Sequence, residues 1–425
     1  MKVFKFGGAS VKDAAGINNL ADIVKKETSE LLIVVSAFGK TTNSLEVLLN
    51  NWMSGDNKYR DQLKNIYSYH SSVYDELSLS ESSSGNGLEN SFAKLTDYLS
   101  KSTKESYDFE YDQIVSYGEI WSTLIVAEYL KKAGIKTKWI DIRDLLLTDD
   151  TYRDANILWS ESSNRVNRAF NFNGDAVFVT QGFIGATISG RSTTLGREGS
   201  DYTAAILANM LDAESVVVWK DVPGLLNADP KWLPDAEKMD EVSYREAVEM
   251  TFSGAKVIHP KTIKPLHNKN IPLYVKSFIN PDENGTIVTT DPRLTKVLPV
   301  FVRKEKQILL TLLPKDFSFV MGDSLSILFQ VFLHHRIKVN LVEASAVSID
   351  VCVDDERTNI EALISNLKNE YSVLYNDKVE LLSIRHYDSE AIEKITRGRE
   401  ILIEQRTRST VRFVAKSNYT HEGVN

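Results

Sequence analysis

The residues VFKFGG at positions 3–8 join an apolar strand to a pair of glycines and set the pattern for the first two-thirds of the chain. Gly7 and Gly8 carry no side chains, so backbone amides there can approach phosphate oxygens, and Lys5 adds a positive charge beside them. A Lys-x-Gly-Gly string behind a strand is more often an ordinary strand-to-helix turn. Taken singly, this stretch therefore indicates a phosphate site only weakly.

A second glycine-rich loop, TLGREGSD at residues 194–201, strengthens the case because it runs into an apolar helical pattern. The pattern begins near Ser200 and Asp201 and continues through Ala204, Ala205 and Ile206. The N-terminus of a helix presents free amides and a partial positive charge to whatever occupies the preceding loop. Two loops of this kind can hold one nucleotide and one acceptor molecule.

Composition bounds the class of protein. With 425 residues, 42% apolar and 25% charged, the chain is globular and long enough for two or three domains. A single cysteine, Cys352, excludes an internal disulfide framework and fits a reducing compartment. It lies in an alternating run at residues 347–353, which predicts a buried structural thiol. A net charge of -8 offers no basic surface for nucleic acid, so anionic substrates need local cations.

The same sequence gives no sign of a membrane partner. No apolar stretch approaches the roughly 18 residues of a membrane span, and the chain begins with a strand rather than a signal peptide. We therefore expect a cytoplasmic protein.

Strand-like and helical patterns alternate through about residue 290, which predicts an α/β fold with a mostly parallel sheet covered on both faces. Residues 50–99 are polar and helical, and we expect them to form a peripheral subdomain with a flexible insert at 82–87. The predicted strands lie at residues 32–36, 137–142, 176–180, 215–220 and 272–276.

The pattern changes after Asp291-Pro292. A strand, helix, strand, strand, helix and strand follow at residues 307–313, 324–335, 338–342, 347–353, 357–369 and 379–384, which is the ferredoxin-like order. A shorter echo then has a strand at 381–386, a helix at 389–404 and a strand at 410–415. The C-terminal third thus predicts one full small α/β module and one abbreviated copy.

Eight motifs, in order along the chain, resemble aspartokinase, a member of the amino acid kinase superfamily with C-terminal ACT regulatory domains. They are KFGGAS (5–10), VVSAFGKTTN (34–43), SYGE (116–119), QGFIG (181–185), TTLGREGSDYTA (193–204), WKDVPGLLNADP (219–230), GAKVIHP (254–260) and FINPDENGT (278–286). The resemblance implies an amino acid kinase fold, a three-layer α/β sandwich, as the catalytic domain at 1–292. A regulatory region with one full and one abbreviated ACT domain would follow at 293–425.

The implied activity is ATP-dependent phosphorylation of the side-chain carboxylate of L-aspartate to 4-phospho-L-aspartate, the first step toward lysine, threonine and methionine. A carboxylate with a pKa of ~3.9 is already ionised at neutral pH, so the acceptor needs no general base. It needs positive charge, because an anion must approach the phosphates of ATP.

The resemblance assigns catalytic roles to Lys5 and Asp201. Lys5 would contact the transferring phosphoryl group, supported by the amides of Gly7 and Gly8 and the hydroxyl of Ser36. Asp201 would hold Lys5 or a magnesium-bound water in place, although a carboxylate there could instead merely complement the helix dipole.

Three residues would bind the acceptor. Arg197 would clamp a substrate carboxylate, because its planar fork suits bidentate binding. Glu119 would face the α-ammonium, although in isolation it would read as a solvated residue at a helix start. Thr42 would hydrogen-bond the same aspartate, with the neighbouring Thr41 as the alternative.

On the nucleotide side, Asp221 and Lys256 match the family's ATP-binding positions. The seven histidines include no H-E-x-x-H spacing, so we expect no transition metal held by the protein, and Mg²⁺ would arrive with ATP. His259 precedes a proline, and we expect its role to be structural.

Several positions depart from the family pattern. Glu198 stands where the family often has glycine or asparagine, and Leu226 stands where some relatives present a tyrosine beside the nucleotide. Asn340 and Ala346 stand where lysine-inhibited relatives have acidic residues, with Lys338 nearby. We therefore expect an amino acid effector site with weak, altered or absent response to lysine. ACT modules usually pair edge to edge, which predicts a homodimer.

Other classes of protein remain as alternatives. The chain could be another amino acid kinase, acting on glutamate or N-acetylglutamate, but SYGE and FINPDENGT favour the aspartokinase branch. It could instead be an amino acid sensor with an inactive kinase domain, or a scaffold with ACT modules. The presence of Lys5, Glu119, Arg197 and Asp201 together argues against a silent site.

Overall fold

The computed structural model describes residues 1–80, 86–101, 103–172, 177–255, 258–292, 297–316 and 323–417. The chain divides into two compact units. The first comprises Met1–Leu225, Lys238–Val248 and Val257–Leu294, and the second comprises Leu226–Glu237, Glu249–Lys256 and Thr295–Asn425. Within the described ranges, no helix combines the length and apolar character that crossing a membrane requires.

Strands and helices alternate up to residue 292. In chain order they are β1 (Lys2–Phe6), α1 (Ala14–Lys26), β2 (Leu31–Val35), α2 (Thr41–Ser54), α3 (Lys58–Glu76), α4 (Asn86–Lys101), α5 (Tyr107–Lys132), β3 (Thr137–Trp139), β4 (Leu147–Thr148), α6 (Trp159–Ala169), β5 (Val177–Gln181), β6 (Ile184–Thr187), β7 (Ser192–Thr194), α7 (Gly199–Met210), β8 (Ser215–Lys220), β9 (Glu241–Ser243), α8 (Tyr244–Ser253), α9 (Pro260–Asn268), β10 (Leu273–Ser277) and β11 (Thr286–Thr289).

An eight-stranded sheet in the order β3-β5-β2-β1-β8-β10-β11-β9 forms the centre of the first unit. The first six strands in that order run parallel, and β11 turns antiparallel to β10. All five residues of β2 are apolar and buried, as expected for a strand covered on both faces. The prediction of a mostly parallel α/β sheet is therefore confirmed.

Helices cover this sheet on both faces. On one face α1 to α5 share a single hydrophobic cluster with the strands, and on the other α7 packs against β1, β2, β8 and the helix α9. Ile66 of α3 and Phe92 of α4 belong to the same cluster as Phe6 and Ile33 of the sheet. The expectation of a peripheral subdomain at residues 50–99 is therefore wrong, because apolar residues at helical spacing within that polar stretch pack into the main core. Residues 82–85 of the expected flexible insert lie outside the described ranges.

The parallel strands bring the glycine-rich loops together at one edge of the sheet. Gly7 follows β1, Ser36 follows β2, Gly182 follows β5 and Asp221 follows β8. Because β1 lies between β2 and β8 and all are parallel, their carboxyl ends open onto the same side. This is the edge at which α/β folds bind ligands.

Beyond residue 296 the chain adds six strands and three helices within the described ranges. They are β12 (Val300–Pro314), α10 (Asp323–His334), β13 (Val339–Ala344), β14 (Ile349–Asp354), α11 (Arg357–Leu367), β15 (Tyr371–Arg385), α12 (Ser389–Thr396), β16 (Ile401–Arg406) and β17 (Thr410–Lys416).

These strands form one antiparallel sheet in the order β13-β14-β12-β15-β17-β16. The run from β12 to β15 confirms the predicted ferredoxin-like order. The two separate strands expected at 379–384 and 381–386 are instead one strand, β15, of 15 residues. It pairs with an equally long β12, so the full and the abbreviated module share two continuous strands.

The helix expected at 389–404 is also wrong. The helix α12 ends at Thr396, Gly398 adopts a φ of 73°, and Ile401–Arg406 pairs with β17 as strand β16. A glycine in the left-handed region is a common end to a helix, so Gly398 is the sequence signal for the end of α12.

The expected burial of Cys352 on β14 is confirmed, and burial raises the pKa of its thiol to about 12.

Candidate active site

A cavity of about 470 Å³ opens at the carboxyl edge of the parallel sheet in the first unit. It gathers residues from β1, the loop after β2, α2, α5 and the start of α7. The residues proposed from the sequence that line it are Lys5, Gly8, Ser36, Thr42, Glu119, Arg197 and Asp201. Its charged lining also includes Arg153 and Glu198, which gives three basic and three acidic side chains.

Lys5 and Asp201 form an ion pair within this cavity. The Lys5 Nζ lies 2.7 Å from the Asp201 Oδ1, and Lys220 lies 3.9 Å from the other oxygen. Burial opposes ionisation of Asp201, but the charges of Lys5 and Lys220 and a hydrogen bond from Lys5 hold its pKa below the usual value. Asp201 is therefore ionised at neutral pH and suits an organising role better than that of a base.

Glu119 lies in the middle of α5, where its side chain is buried. Its carboxyl accepts a hydrogen bond from the backbone N–H of Ala37, while its Oε2 has no hydrogen-bond partner among the described residues. Burial raises the pKa of Glu119 to about 8, although the Ala37 hydrogen bond and the charge of Lys5 act in the opposite direction. The alternative of a solvated residue at a helix start is wrong. A buried oxygen with an unmet hydrogen bond, on a residue that lines the cavity, suits a ligand that donates hydrogen bonds.

The glycine turn after β1 is shaped by close backbone packing. A β-carbon on Gly8 would collide with the carbonyl oxygen of Ala37, and the Gly8 carbonyl accepts a hydrogen bond of 3.0 Å from the N–H of Gly39. Gly7 does not line the cavity, but its α-carbon lies beside Lys5, since a β-carbon there would be 3.5 Å from the Lys5 Nζ. Glycine at position 8 thus lets the turn after β1 pack directly against the loop after β2.

The loop before α7 holds Glu198 at a φ of 55°, a conformation that favours glycine or asparagine. The Glu198 carboxylate accepts a hydrogen bond of 2.9 Å from the backbone N–H of His259. His259 itself caps α9, because its Nδ1 accepts a hydrogen bond from the N–H of Lys261. Its structural role is as expected, and Glu198 acts as a tie between two loops.

The two threonines of α2 differ in direction. Thr42 lines the cavity, whereas Thr41 is buried and donates its hydroxyl hydrogen to the carbonyl of Phe38 over 2.7 Å. Thr42 is thus the threonine available to a ligand.

Of the nucleotide-side residues, Asp221 is exposed in the turn after β8 and does not line this cavity. Lys256 lies outside the described residues.

Sequence reasoning missed a buried carboxylate that holds the cavity wall. Asp112 of α5 accepts hydrogen bonds from the N–H and hydroxyl of Thr194, at 2.8 and 2.7 Å, and from the N–H of Arg153 at 3.0 Å. Burial raises its pKa to about 6, against these hydrogen bonds. Its only sequence signal is a charged residue four positions before the SYGE motif, one helical turn away.

The first 277 residues match the model of the amino acid kinase family. The chain therefore belongs to the amino acid kinase family. It is 34% identical over 396 residues to the lysine-sensitive aspartokinase 3 of Escherichia coli, covering 89% of this chain and 84% of that protein. Within the family it groups with the aspartokinases.

Solved structures agree with this grouping. The crystal structure of E. coli aspartokinase III in complex with aspartate and ADP, in the R-state, superposes with a TM-score of 0.81 at 28% identity, covering 98% of this chain and 96% of that one. The T-state structure of the same enzyme, in complex with lysine and aspartate, gives a TM-score of 0.80 at 29% identity, covering 97% and 95%.

Proposed function

We propose that this chain is an aspartate kinase that transfers the γ-phosphoryl group of ATP to the side-chain carboxylate of L-aspartate, giving 4-phospho-L-aspartate. The observation that carries the proposal is the joint placement of a Lys5–Asp201 ion pair and the buried, incompletely bonded Glu119 in one cavity. Membership of the aspartokinases supports the identity of both substrates. The product would enter the route to lysine, threonine and methionine.

The phosphoryl side of the reaction is assigned to Lys5 and its neighbours. The Lys5 ammonium stabilises charge on the equatorial oxygens of the transferring group, and Asp201 fixes that ammonium in position. The Gly7-Gly8 turn, the Ser36 hydroxyl and the N-terminus of α7 accept the phosphates of ATP. Asp221 and Lys256 are assigned to the remainder of the nucleotide.

The acceptor side is assigned to Glu119, Arg197 and Thr42. Glu119 receives the α-ammonium of aspartate, which supplies the hydrogen bonds that its Oε2 lacks. Arg197 clamps the α-carboxylate and Thr42 adds a hydrogen bond. Held through both charged groups of its α-carbon, aspartate presents its side-chain carboxylate to the γ-phosphorus as an ionised nucleophile.

The donors in the cavity fit a magnesium ion carried by ATP. The Asp201 carboxylate and the hydroxyls of Ser36 and Ser200 are hard oxygen donors in the lining, which is the ligand type that Mg²⁺ prefers. When bound, the ion neutralises charge on the phosphate oxygens. Among the described residues, no group of three or more His, Cys, Asp or Glu side chains is arranged to hold a metal ion.

The remaining assignments concern organisation. We assign residues 1–292 as the catalytic domain, apart from the segments Leu226–Glu237 and Glu249–Lys256 that belong to the second unit. Residues 293–425 are assigned as the regulatory region, with one full and one abbreviated ACT domain that receives an amino acid effector. We assign a homodimer formed through these modules and a cytoplasmic location. Exposed apolar side chains in the second unit support the dimer: Ile327, Phe329 and Leu333 on α10, and Leu374 and Tyr375 on β15. Light scattering after size-exclusion chromatography tests it.

Trapping of the acyl phosphate by hydroxylamine tests the proposed activity. With ATP and Mg²⁺, the protein should form hydroxamate with aspartate and not with glutamate or N-acetylglutamate. The Lys5→Ala variant should form none, and the exposed Lys25→Ala variant should match the wild type. Hydroxamate from glutamate would reassign the acceptor, and none from any substrate would favour a sensor.

A further inference from the structure

Arg153 is an arginine in a backbone conformation that suits glycine. It lies between β4 and α6 with a φ of 70°, in the left-handed region where a β-carbon is disfavoured. It lies outside the eight motifs, yet it is one of the residues that line the cavity. Strained positions of this kind cluster at functional sites because the surroundings hold them in place.

The surroundings of Arg153 hold both its backbone and its side chain. Its N–H donates to the buried Asp112 carboxylate at 3.0 Å. Its guanidinium lies 4.5 Å from the ring centre of Tyr111 and 5.7 Å from that of Tyr107, with 3.3 Å from its Nη1 to the Asp108 Oδ1. These contacts with two aromatic rings limit the positions open to the guanidinium.

Arg153 also lies beside the loop that carries Arg197. Its carbonyl oxygen is 3.4 Å from the position that a β-carbon on Gly196 would take, and the N–H of Ala155 donates to the carbonyl of Thr194 at 2.9 Å. The two arginines are thus presented by adjoining backbone segments at one wall of the cavity.

Two of the acidic residues that line the cavity already have partners other than Arg153. Lys5 is paired with Asp201, and Glu198 accepts the N–H of His259. The contact of Arg153 with Asp108 involves two side chains that are 43% and 60% exposed, so solvent screens it. An anionic acceptor bound at this wall of the cavity would meet the guanidinium groups of Arg153 and Arg197.

We propose that Arg153 is a specificity-determining residue that binds the α-carboxylate of the acceptor together with Arg197. This inference rests on the proposed function and adds a residue to its acceptor site. Asp112 acts as a positioning residue for it, because it holds the backbone of Arg153 and Thr194 at once.

The Arg153→Gly variant tests the inference because glycine suits this φ and should fold without strain. We expect the KM for aspartate to rise about tenfold, with kcat and the KM for ATP within about twofold of the wild type. Arg153→Lys keeps the charge but loses the planar guanidinium, so its KM for aspartate should lie between those of the wild type and Arg153→Gly.

Arg336→Gly is the matched control. Arg336 is another exposed arginine at a positive φ, 55°, and it does not line the cavity. Arg336→Gly should leave the KM for aspartate unchanged. Neither Arg336→Gly nor Arg153→Gly should lower the melting temperature.

Calorimetric titration with aspartate and with its α-amide separates this inference from the proposed function. Arg153→Gly should weaken the binding of aspartate and leave that of the α-amide nearly unchanged. Equal aspartate affinity and KM in wild type and Arg153→Gly would overturn the role of Arg153 while leaving the kinase assignment intact. A wild type that neither binds nor phosphorylates aspartate would overturn both.

Discussion

Lys5 of strand β1 and Asp201 in the first turn of helix α7 form a nearly buried ion pair, with 2.7 Å between Nζ and Oδ1 and side chains that are 11% and 5% exposed. The strand supplies the cation and the helix supplies the anion, so the pair fixes the ammonium at the N-terminal end of α7. An ammonium held in advance at this place need not reorganise when charge develops on a phosphoryl group.

Asp201→Asn should remove the charge that positions Lys5. We expect kcat to fall roughly 10²–10³-fold, because a misplaced ammonium loses transition-state stabilisation, with a smaller change in the KM for aspartate. Steady-state hydroxamate kinetics measure both constants. Asp212→Asn, which breaks the exposed pair with Lys269 just beyond α7, should retain wild-type kinetics. A higher KM for aspartate with an unchanged kcat would contradict the role of Asp201.

Aspartate binding should release a proton from Glu119. With a pKa raised to about 8 by burial, this carboxyl is mostly protonated at pH 7, and the substrate ammonium favours its charged form. Affinity should therefore rise by up to about tenfold per unit as pH increases from 6 to 8 and level off above.

Calorimetry at pH 7 in phosphate and in Tris measures the released proton, because the two buffers differ in ionisation enthalpy. Glu119→Gln should bind aspartate more weakly and release no proton. Proton release that persists in this variant would assign the proton to another group.

Asp112→Ala should destabilise the cavity wall. It leaves the buried N–H of Thr194 and the partly buried N–H of Arg153 without their acceptor, which should cost about 2–5 kcal/mol of unfolding free energy. Asp108→Ala, one helical turn before Asp112 and 60% exposed, should cost less than about 1 kcal/mol. Urea denaturation measures the unfolding free energy of both variants. Similar losses of stability would show that Asp112 does not stabilise the cavity wall more than an exposed carboxylate does.

Lysine should not bind tightly at Asn340. Its Oδ1 accepts from the Lys304 ammonium at 2.7 Å, and its Nδ2 donates to Gln307 and Asp354 at 2.7 and 2.9 Å. Lys304 also pairs with Asp354, so an internal lysine already occupies the nearby carboxylate. Isothermal titration with lysine should show no micromolar binding, with threonine titrated alongside. Micromolar affinity for lysine would refute the expectation of weak feedback.

The residues that could be predicted from the sequence lie where a local motif carries the chemistry. Lys5 lies near the end of β1, Gly8 in the turn after it and Asp201 in the first turn of α7, so the α/β pattern alone brings them to one edge of the sheet. Arg153 and Asp112 could not be found this way. Arg153 lines the cavity from a left-handed backbone with its guanidinium against the Tyr111 ring, and Asp112 binds segments more than 40 residues away.

The C-terminal sheet shows the same limit for the fold. Helical and strand periods located most elements, but pairing between β12 and β15 joins residues about 60 to 85 positions apart, and no local pattern encodes that register. The helix expected at 389–404 failed for a different reason. The signal of Gly398 was local, but the alternation of Ile401 and Ile403 became a strand only because β17 offered an edge.

The two long strands of the C-terminal sheet limit how this protein can be recombined with its relatives. Exchanging only one of its two modules would require a splice inside β12 and another inside β15, each within a hydrogen-bonded ladder. A chimera should therefore receive the whole sheet as one cassette. Residues 226–237 belong in the same cassette, because Ala228 and Trp232 pack with Phe301 and Leu382 in its core.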